Sequence, residues 1–133
     1  MVVVDSSVWI DFFRGAPSHQ AGELVRLLDS AEVRLVLPDL VLYEVLRGFR
    51  HERDLRQAKL LMQHLDVETC GGQATALAAA EHYRALRAQG CTVRSSIDVL
   101  VASFCIEHDY VLLHNDRDYD ALARHRGLRV WAH

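Results

Sequence analysis

The chain has 133 residues, of which 50% are hydrophobic and 25% charged, and its formal net charge is −3. These values predict a single domain over residues 1–133 with an apolar core, and they exclude disordered, collagen-like and disulfide-stapled classes. The negative total also excludes a polycation, so any contact with nucleic acid must use a local basic patch.

Short apolar runs alternate with helical spacings along the chain. The first run, Val2–Val4, predicts a buried strand, after which Ser6 or Ser7 could cap a helix over Val8–Arg14. Further strands are predicted over Val33–Leu37, Tyr110–Leu113 and Leu128–Trp131. Further helices are predicted over Ala21–Leu28, from Pro38-Asp39, over Leu55–Leu65 and Ala74–Ala88, after Ser95 as far as Ile106, and over Tyr119–Arg126. This alternation predicts an α/β fold with a parallel sheet covered by helices on both faces.

Four carboxylates stand within or directly beside these apolar segments: Asp5, Glu44, Asp98 and Asp116. The first and the last follow predicted strands, and the other two lie early in predicted helices. Because the carboxyl ends of parallel strands meet at one edge of a sheet, all four can converge there. Burying like charges together is costly, and a hard cation with oxygen ligands offsets that cost. The pattern therefore predicts a site for Mg²⁺ or Mn²⁺.

Each acid also has a structural alternative. Asp5 could cap the helix that follows it, and Asp98 could complete a capping box begun by Ser95. Asp116 could be an acid favoured by a helix dipole, whereas Glu44 is harder to explain because its sequence neighbours are apolar. Taken together at one predicted edge, the four acids favour a functional site.

Three further polar residues lie near these acids in the sequence. Asp118 could bind a second cation or hold a water molecule, or it could begin a solvated helix. The hydroxyl of Ser7 could orient a metal-bound water or a phosphate oxygen, or cap a helix. Asn115 could donate to a phosphate or serve as a turn residue.

Three stretches of the chain carry a resemblance to a known family. They are VVVDSSVWIDFFRG at the start, LPDLVLYEVLRG in the centre and VRSSIDVLVASFCIEHDYVLLHNDRDYDALA near the end. With the acids in this order, the chain resembles the PIN-domain family, and within it the VapC-type toxins of bacterial toxin–antitoxin pairs. The resemblance covers essentially the whole chain.

Members of that family are metal-dependent ribonucleases. The resemblance implies a three-layer α/β/α sandwich with a central, mostly parallel sheet, usually as a homodimer. It implies an RNA substrate cleaved by two-metal-type water activation, and a cognate antitoxin that occludes the site. It also implies that Mg²⁺ or Mn²⁺ is held by the catalytic acids Asp5, Glu44, Asp98 and Asp116, with assistance from Asp118.

Two other functions fit parts of the sequence. A catalytically silent PIN-like domain could keep the fold to bind RNA or a partner, although the intact acidic set argues against it. An aspartyl-phosphate phosphatase would need a second Asp two residues after Asp5, and that position holds Ser7.

Basic and aromatic clusters suggest surfaces for partners. The basic residues after Glu44, including Arg50 and Arg53, could hold RNA phosphates, face solvent beside acidic partners, or receive an acidic antitoxin segment. The aromatic cluster of Trp9, Phe12 and Phe13 is predicted to lie mainly in the core, with a part exposed at a dimer or antitoxin interface.

The sequence also bears on location. An acid at position 5 interrupts the apolar start, and the apolar segment Val99–Ile106 is far shorter than the roughly 20 residues of a membrane helix. The odd number of cysteines without a C-x-x-C pair is typical of reduced thiols. We therefore expect a cytoplasmic protein without membrane association.

Overall fold

A five-stranded parallel sheet forms the centre of the computed structural model, which describes residues 1–132. Its strands are β1 (Val2–Val4), β2 (Leu35–Pro38), β3 (Asp66–Glu68), β4 (Val111–Leu113) and β5 (Arg129–Val130). Their spatial order is β3-β2-β1-β4-β5, and all neighbouring pairs are parallel. The helices are α1 (Ser6–Arg14), α2 (His19–Asp29), α3 (Asp39–Leu46), α4 (Glu52–Met62), α5 (Gln73–Ala88), α6 (Ser96–His108) and α7 (Asp118–Arg126).

The helices form two layers, one on each face of the sheet. The connections from β1 to β3 run toward one edge, whereas those from β3 through β4 to β5 run back toward the other. Because parallel crossovers are right-handed, opposite directions place α1 to α4 on one face and α5 to α7 on the other. The packing of α1 on α2 and α3, and of α5 on α6 and α7, agrees with this division. The predicted three-layer α/β/α sandwich is confirmed.

The core lies along the central strands and helix α6. All three valines of β1 are buried, as is all of β2, because helices cover both faces of these strands. Helix α6 is buried around most of its circumference, including Val101, Phe104 and Cys105. A charged group at the start of this helix is therefore held in an apolar environment.

Some sequence-based predictions differ from the structure. Helix α1 begins at Ser6 and is capped by Asp5 rather than by a serine. Helix α4 spans Glu52–Met62 instead of Leu55–Leu65. Strand β3, over Asp66–Glu68, was not predicted, because two of its three residues are acidic and it lies at the edge of the sheet, where no alternation with apolar residues is required.

The order of the strands determines where a ligand can bind. The chain leaves β1 toward β2 on one side, and it later enters β4 on the other side, so the direction of winding reverses between β1 and β4. In parallel α/β sheets, such a switch opens a crevice beyond the carboxyl ends of the two strands. Asp5 directly follows β1, and Asp116 lies three residues beyond the end of β4.

The lengths and polarity of the helices bear on membrane insertion. Within residues 1–132, no helix combines the length and the apolar character needed to cross a bilayer.

Candidate metal centre

Five carboxylates lie together at the crevice between β1 and β4. Asp5, Glu44 and Asp98 offer oxygen atoms that all lie within 4.8 Å of one another. Asp98, Asp116 and Asp118 offer a second such set, so Asp98 belongs to both groups. The convergence expected from the sequence is therefore present, and it includes Asp118.

Asp5 is held by donors on both of its carboxylate oxygens. Its Oδ2 accepts from the backbone N–H of Ser7 at 3.1 Å and from the Ser7 hydroxyl at 2.7 Å. Its Oδ1 accepts from the hydroxyl of Tyr119 at 2.6 Å. The same carboxylate caps helix α1, so the structural alternative and a role in the cluster are both compatible with its geometry.

Glu44 reaches the cluster from the second turn of α3 and is half-buried. Its Oε1 accepts from the hydroxyl of Ser6 at 3.0 Å. Burial raises the pKa of Glu44, and the nearby charge of Asp5 raises it further, although the Ser6 hydrogen bond acts in the opposite direction. The carboxylate is therefore in a place that disfavours its negative charge.

Asp98 is the centre of the cluster. It lies in the first turn of α6, and only 5% of its surface is exposed. Burial raises its pKa to about 7, with further contributions from the charges of Asp5, Asp116 and Glu44. The predicted capping box is half formed: the Ser95 hydroxyl accepts from the Asp98 backbone N–H at 3.4 Å, while the Asp98 side chain turns toward Tyr119.

Asp116 and Asp118 form the more open side of the cluster. An oxygen of Asp116 accepts from the backbone N–H of Asp118 at 2.9 Å, which orders the turn before helix α7.

Burial lowers the pKa of the neighbouring His114. The Nδ1 of that ring accepts from the backbone N–H of Asp116 at 3.2 Å, as a neutral imidazole can.

Ser7 and Asn115 join the ends of β1 and β4. The Ser7 hydroxyl donates its single proton to Asp5 and accepts from the backbone N–H of Asn115 at 3.2 Å. The side-chain amide of Asn115 donates to Asp11 at 3.4 Å. The predicted contact of Ser7 and Asn115 with substrate stays a prediction, and the contacts seen here order the acidic cluster.

Sequence analysis missed two residues of this cluster, Ser6 and Tyr119. The sequence presents Ser6 as a possible helix cap and Tyr119 as part of the last helix. The nearness of Tyr119 to Asp116 and Asp118 in the sequence is only a weak signal. Nothing in the sequence indicated that its hydroxyl reaches Asp5 and Asp98.

The donor set fits a hard divalent cation. All the candidate ligands are carboxylate oxygens, which Mg²⁺ and Mn²⁺ prefer, and they come from five separate positions within a small volume. The raised pKa values of Glu44 and Asp98 reflect burial beside like charges, which a bound cation would relieve. The residues present could therefore hold such an ion.

An open cleft of about 760 Å³ adjoins the more exposed acids. It is lined by Arg94, Asn115, Asp116, Arg117 and Asp118. The arginines are exposed, and they place positive charge beside the carboxylates. Such a surface can accept an anion next to a bound cation.

Comparisons with known proteins concern the family and the fold of the chain. Residues 2–125 match the PIN domain family. Ribonuclease VapC11 of Mycobacterium tuberculosis and VapC ribonuclease Mb1587 of Mycobacterium bovis are each 33% identical over 130 residues, which cover 98% of this chain and 97% of each relative.

Solved structures share the fold at lower sequence identity. The crystal structure of VapBC2 from Rickettsia felis, bound to a promoter DNA fragment, is similar with a TM-score of 0.77 and 16% identity, covering 99% of this chain and 100% of that chain. FitAcB from Neisseria gonorrhoeae is similar with a TM-score of 0.76 and 12% identity, and the match covers 99% of this chain and 97% of that chain. VapBC-1 from nontypeable Haemophilus influenzae is similar with a TM-score of 0.74 and 20% identity, and the match covers 98% of this chain and 97% of that chain. At these identities the likeness concerns the fold.

Proposed function

Because the chain belongs to the PIN domain family, we propose that it is a divalent-metal-dependent endoribonuclease of the VapC toxin type. The observation that carries this proposal is the gathering of five carboxylates into two groups that share the buried Asp98. The curated relatives, which are named as VapC ribonucleases and align along nearly their whole length, support the same activity for this chain.

In this proposal, the acids hold one or two Mg²⁺ or Mn²⁺ ions. Asp5, Glu44 and Asp98 would form one set of ligands, and Asp116 and Asp118 would extend it through Asp98. Bound there, the ions would neutralise phosphate charge and activate water for attack on the phosphodiester. Ser7 orients Asp5, and Ser6 orients Glu44, so the chain contributes a pre-arranged set of oxygen atoms.

The cleft beside Asp116 is the proposed path of the RNA backbone. Arg94 and Arg117 flank this cleft, and they can pair with the phosphates on either side of the scissile bond. The formal charge of the whole chain is −3, so this local positive charge rather than the total would attract RNA.

The proposal is tested by RNA cleavage with added Mg²⁺ or Mn²⁺. We expect cleavage by the unmodified protein, none with excess chelator, and a loss of at least about 100-fold in Asp5→Asn, because one ligand oxygen becomes a neutral amide. Equal cleavage in all three samples would contradict the proposal and indicate a contaminating nuclease.

We also propose that an antitoxin docks in the groove between helix α1 and the segment that joins α3 to α4. This groove, of about 410 Å³, has an apolar floor that includes Ile10, Phe13 and Phe49, and the rings of Phe13 and Phe49 lie 5.6 Å apart. Two arginines, Arg14 and Arg50, and one acid, Asp54, also line the groove. A segment with apolar and acidic side chains complements this surface, and the VapBC complexes among the similar structures support a partner of this kind.

Charge reversal tests the docking surface. Arg50→Glu should weaken binding of the cognate antitoxin by roughly 10-fold or more, because an acidic segment would meet a like charge. Arg53→Glu is the matched control, since Arg53 lies on the same exposed stretch but outside the groove. Equal weakening by both variants would indicate a general charge effect and would remove the groove from the proposal.

We further propose that two copies of the chain form a homodimer through helices α3 and α4. A shallow apolar depression of about 440 Å³ lies on helices α3 and α4, and it is lined by Leu42, Leu46, Leu55 and the 55% exposed Tyr43. Its rim carries charges of both signs: Asp39, Arg47 and Lys59. A second copy, related by a twofold axis, can pair opposite charges while burying the apolar surface.

A further inference from the structure

The hydroxyl of Tyr119 lies between two carboxylates of the cluster. It is 2.6 Å from Oδ1 of Asp5 and 3.2 Å from Oδ1 of Asp98. The side chain is fully buried, and its ring packs against His114 at 4.9 Å between ring centres. Packing therefore fixes the ring, and the ring in turn fixes the place of the hydroxyl.

Tyr119 joins three separate parts of the fold. Asp5 follows strand β1, Asp98 begins helix α6, and Tyr119 itself lies in helix α7. Within residues 1–132, Tyr119 is the only side chain hydrogen-bonded to the Asp98 carboxylate, and its single proton is shared between the closer Asp5 at 2.6 Å and Asp98 at 3.2 Å. Asp5 has Ser7 as a second donor, on its other oxygen. The orientation of Asp98 thus depends on Tyr119 more than that of Asp5 does.

We propose that Tyr119 is a positioning residue that holds Asp5 and Asp98 at the separation at which both can bind one divalent cation. This inference rests on the proposed metal-dependent function and adds to it a residue from outside the acidic set. Hydrogen bonds from such supporting residues orient metal ligands, and their removal typically lowers metal affinity 10- to 100-fold.

A purely structural role for the hydroxyl is the competing explanation. A buried phenol needs a single acceptor, and one carboxylate would satisfy it. Here the hydroxyl lies within hydrogen-bonding distance of two carboxylates that repel each other, and both belong to the same group of acids. This placement reduces their repulsion without a cation and limits their rotation, which a hydrogen bond to either carboxylate alone would not do.

The two consequences of removing the hydroxyl oppose each other. Without the donor, the carboxylates become more basic, which strengthens their attraction for a cation. They also lose their fixed orientation, which weakens binding. Because Asp98 receives no other side-chain donor within residues 1–132, we expect the loss of orientation to be the larger effect.

The test compares two Tyr→Phe variants in metal-stripped protein. Tyr119→Phe keeps the ring and removes the hydroxyl. Tyr110→Phe is the matched control, because its hydroxyl also donates to a carboxylate, Glu68 at 3.0 Å, but away from the cluster. Mn²⁺ affinity is measured from the free-ion electron paramagnetic resonance signal, well below the unfolding temperature, with folding verified by circular dichroism. We expect roughly 10-fold weaker binding in Tyr119→Phe and unchanged binding in Tyr110→Phe.

Two outcomes would overturn the inference in distinguishable ways. If Tyr119→Phe binds Mn²⁺ within about threefold of the unmodified protein, or more tightly, while Asp5→Asn does not bind, the positioning role is wrong and the metal site stands. If the unmodified protein shows no saturable binding of Mn²⁺, the metal site and the positioning role are both wrong.

A measurement on the unmodified protein covers the case in which Tyr119→Phe does not fold. Titration with Mg²⁺ is followed by nuclear magnetic resonance of the tyrosine rings. We expect the Tyr119 ring signals to shift saturably and those of Tyr110 to remain in place. Unchanged Tyr119 signals in a protein that binds Mg²⁺ would overturn the inference, because a hydroxyl bonded to two ligands must sense the ion.

Discussion

At the scale of single residues, Asp98 is a carboxylate buried beside like charges. Its folded-state pKa, about 7, lies above the ordinary value of 3.8, first because of burial and then because of the neighbouring carboxylates. When the pH lies between these two pKa values, Asp98 holds a proton in the folded state that it releases in the unfolded state. The stability of the metal-free protein should therefore fall as the pH rises through this range, and less change is expected above it.

Asp98→Asn should remove this pH dependence. In chelator at about pH 8, the variant should be more stable than the unmodified protein, because no buried charge opposes folding. At about pH 5 the stability advantage of Asp98→Asn should be smaller by ~2 kcal/mol, since the Asp98 carboxyl of the unmodified protein is then largely protonated in the folded state. Urea unfolding at the two pH values measures this change. A stability difference between the two proteins that is equal at both pH values would contradict it.

The acidic residues of the cluster could be read from the sequence, but their supporting partners could not. A carboxylate beside an apolar run is visible as a local conflict between charge and burial, which is how Asp5 and Glu44 were identified. Tyr119 presents no such conflict, because a tyrosine within a helix is unremarkable. Its role depends on packing that brings α7 against β1 and α6, and this cannot be deduced from local pattern.

At the scale of elements, helix α1 and the candidate metal centre share one carboxylate. The Asp5 side chain accepts from the Ser7 backbone N–H and so caps the helix, and the same carboxylate belongs to the group with Glu44 and Asp98. The cap orients the carboxylate, and the preceding strand β1 fixes its place at the sheet edge.

Substitutions at Asp5 should separate these two roles. Asp5→Asn retains a good capping residue and removes one of the like charges that raise the pKa of Asp98 and Glu44, so in chelator it should be at least as stable as the unmodified protein. Asp5→Ala also loses the cap and should be about 1 kcal/mol less stable than Asp5→Asn. Both should lose metal-induced stabilisation. Urea unfolding with chelator and with Mn²⁺ provides the measurement, and equal stability of Asn and Ala variants in chelator would argue against the capping role.

The elements were predictable to different degrees because their surroundings differ. Strand β1 and helix α5 have patterns set by burial, and their predicted and observed bounds nearly coincide. Strand β3, Asp-Val-Glu, lies at an edge and obtains its hydrogen bonds from β2 alone. Its formation depends on the presence of that neighbour, which the local sequence does not reveal.

At the scale of the whole molecule, the proposed dimer surface is separate from the cleft at the metal centre. The depression on α3 and α4 shares no lining residue with the cleft beside Asp116. A dimer formed there would leave both clefts open. It would also place two such clefts on one particle, related by symmetry.

Tyr43→Glu should convert the proposed dimer to a monomer. The side chain is 55% exposed beside the apolar depression, and two introduced carboxylates would face each other across a twofold axis. Tyr83→Glu is the control, because Tyr83 is an exposed tyrosine on helix α5 and does not line this depression. Sedimentation velocity at micromolar concentrations measures the outcome. A monomeric unmodified protein, or dissociation by both variants, would contradict the proposed surface.

The five acids and Tyr119 are spread along most of the chain, from position 5 to position 119. During synthesis, the ribosome makes the first of these residues long before the last, and the nascent polypeptide lacks two of the three acids of the second carboxylate group until Asp116 and Asp118 are added. If the proposed function is right, a product that ends before Asp116 would lack two of the five acids and the tyrosine that contacts Asp5 and Asp98, and we expect it not to cleave RNA. Cleavage activity would then arise only late in synthesis.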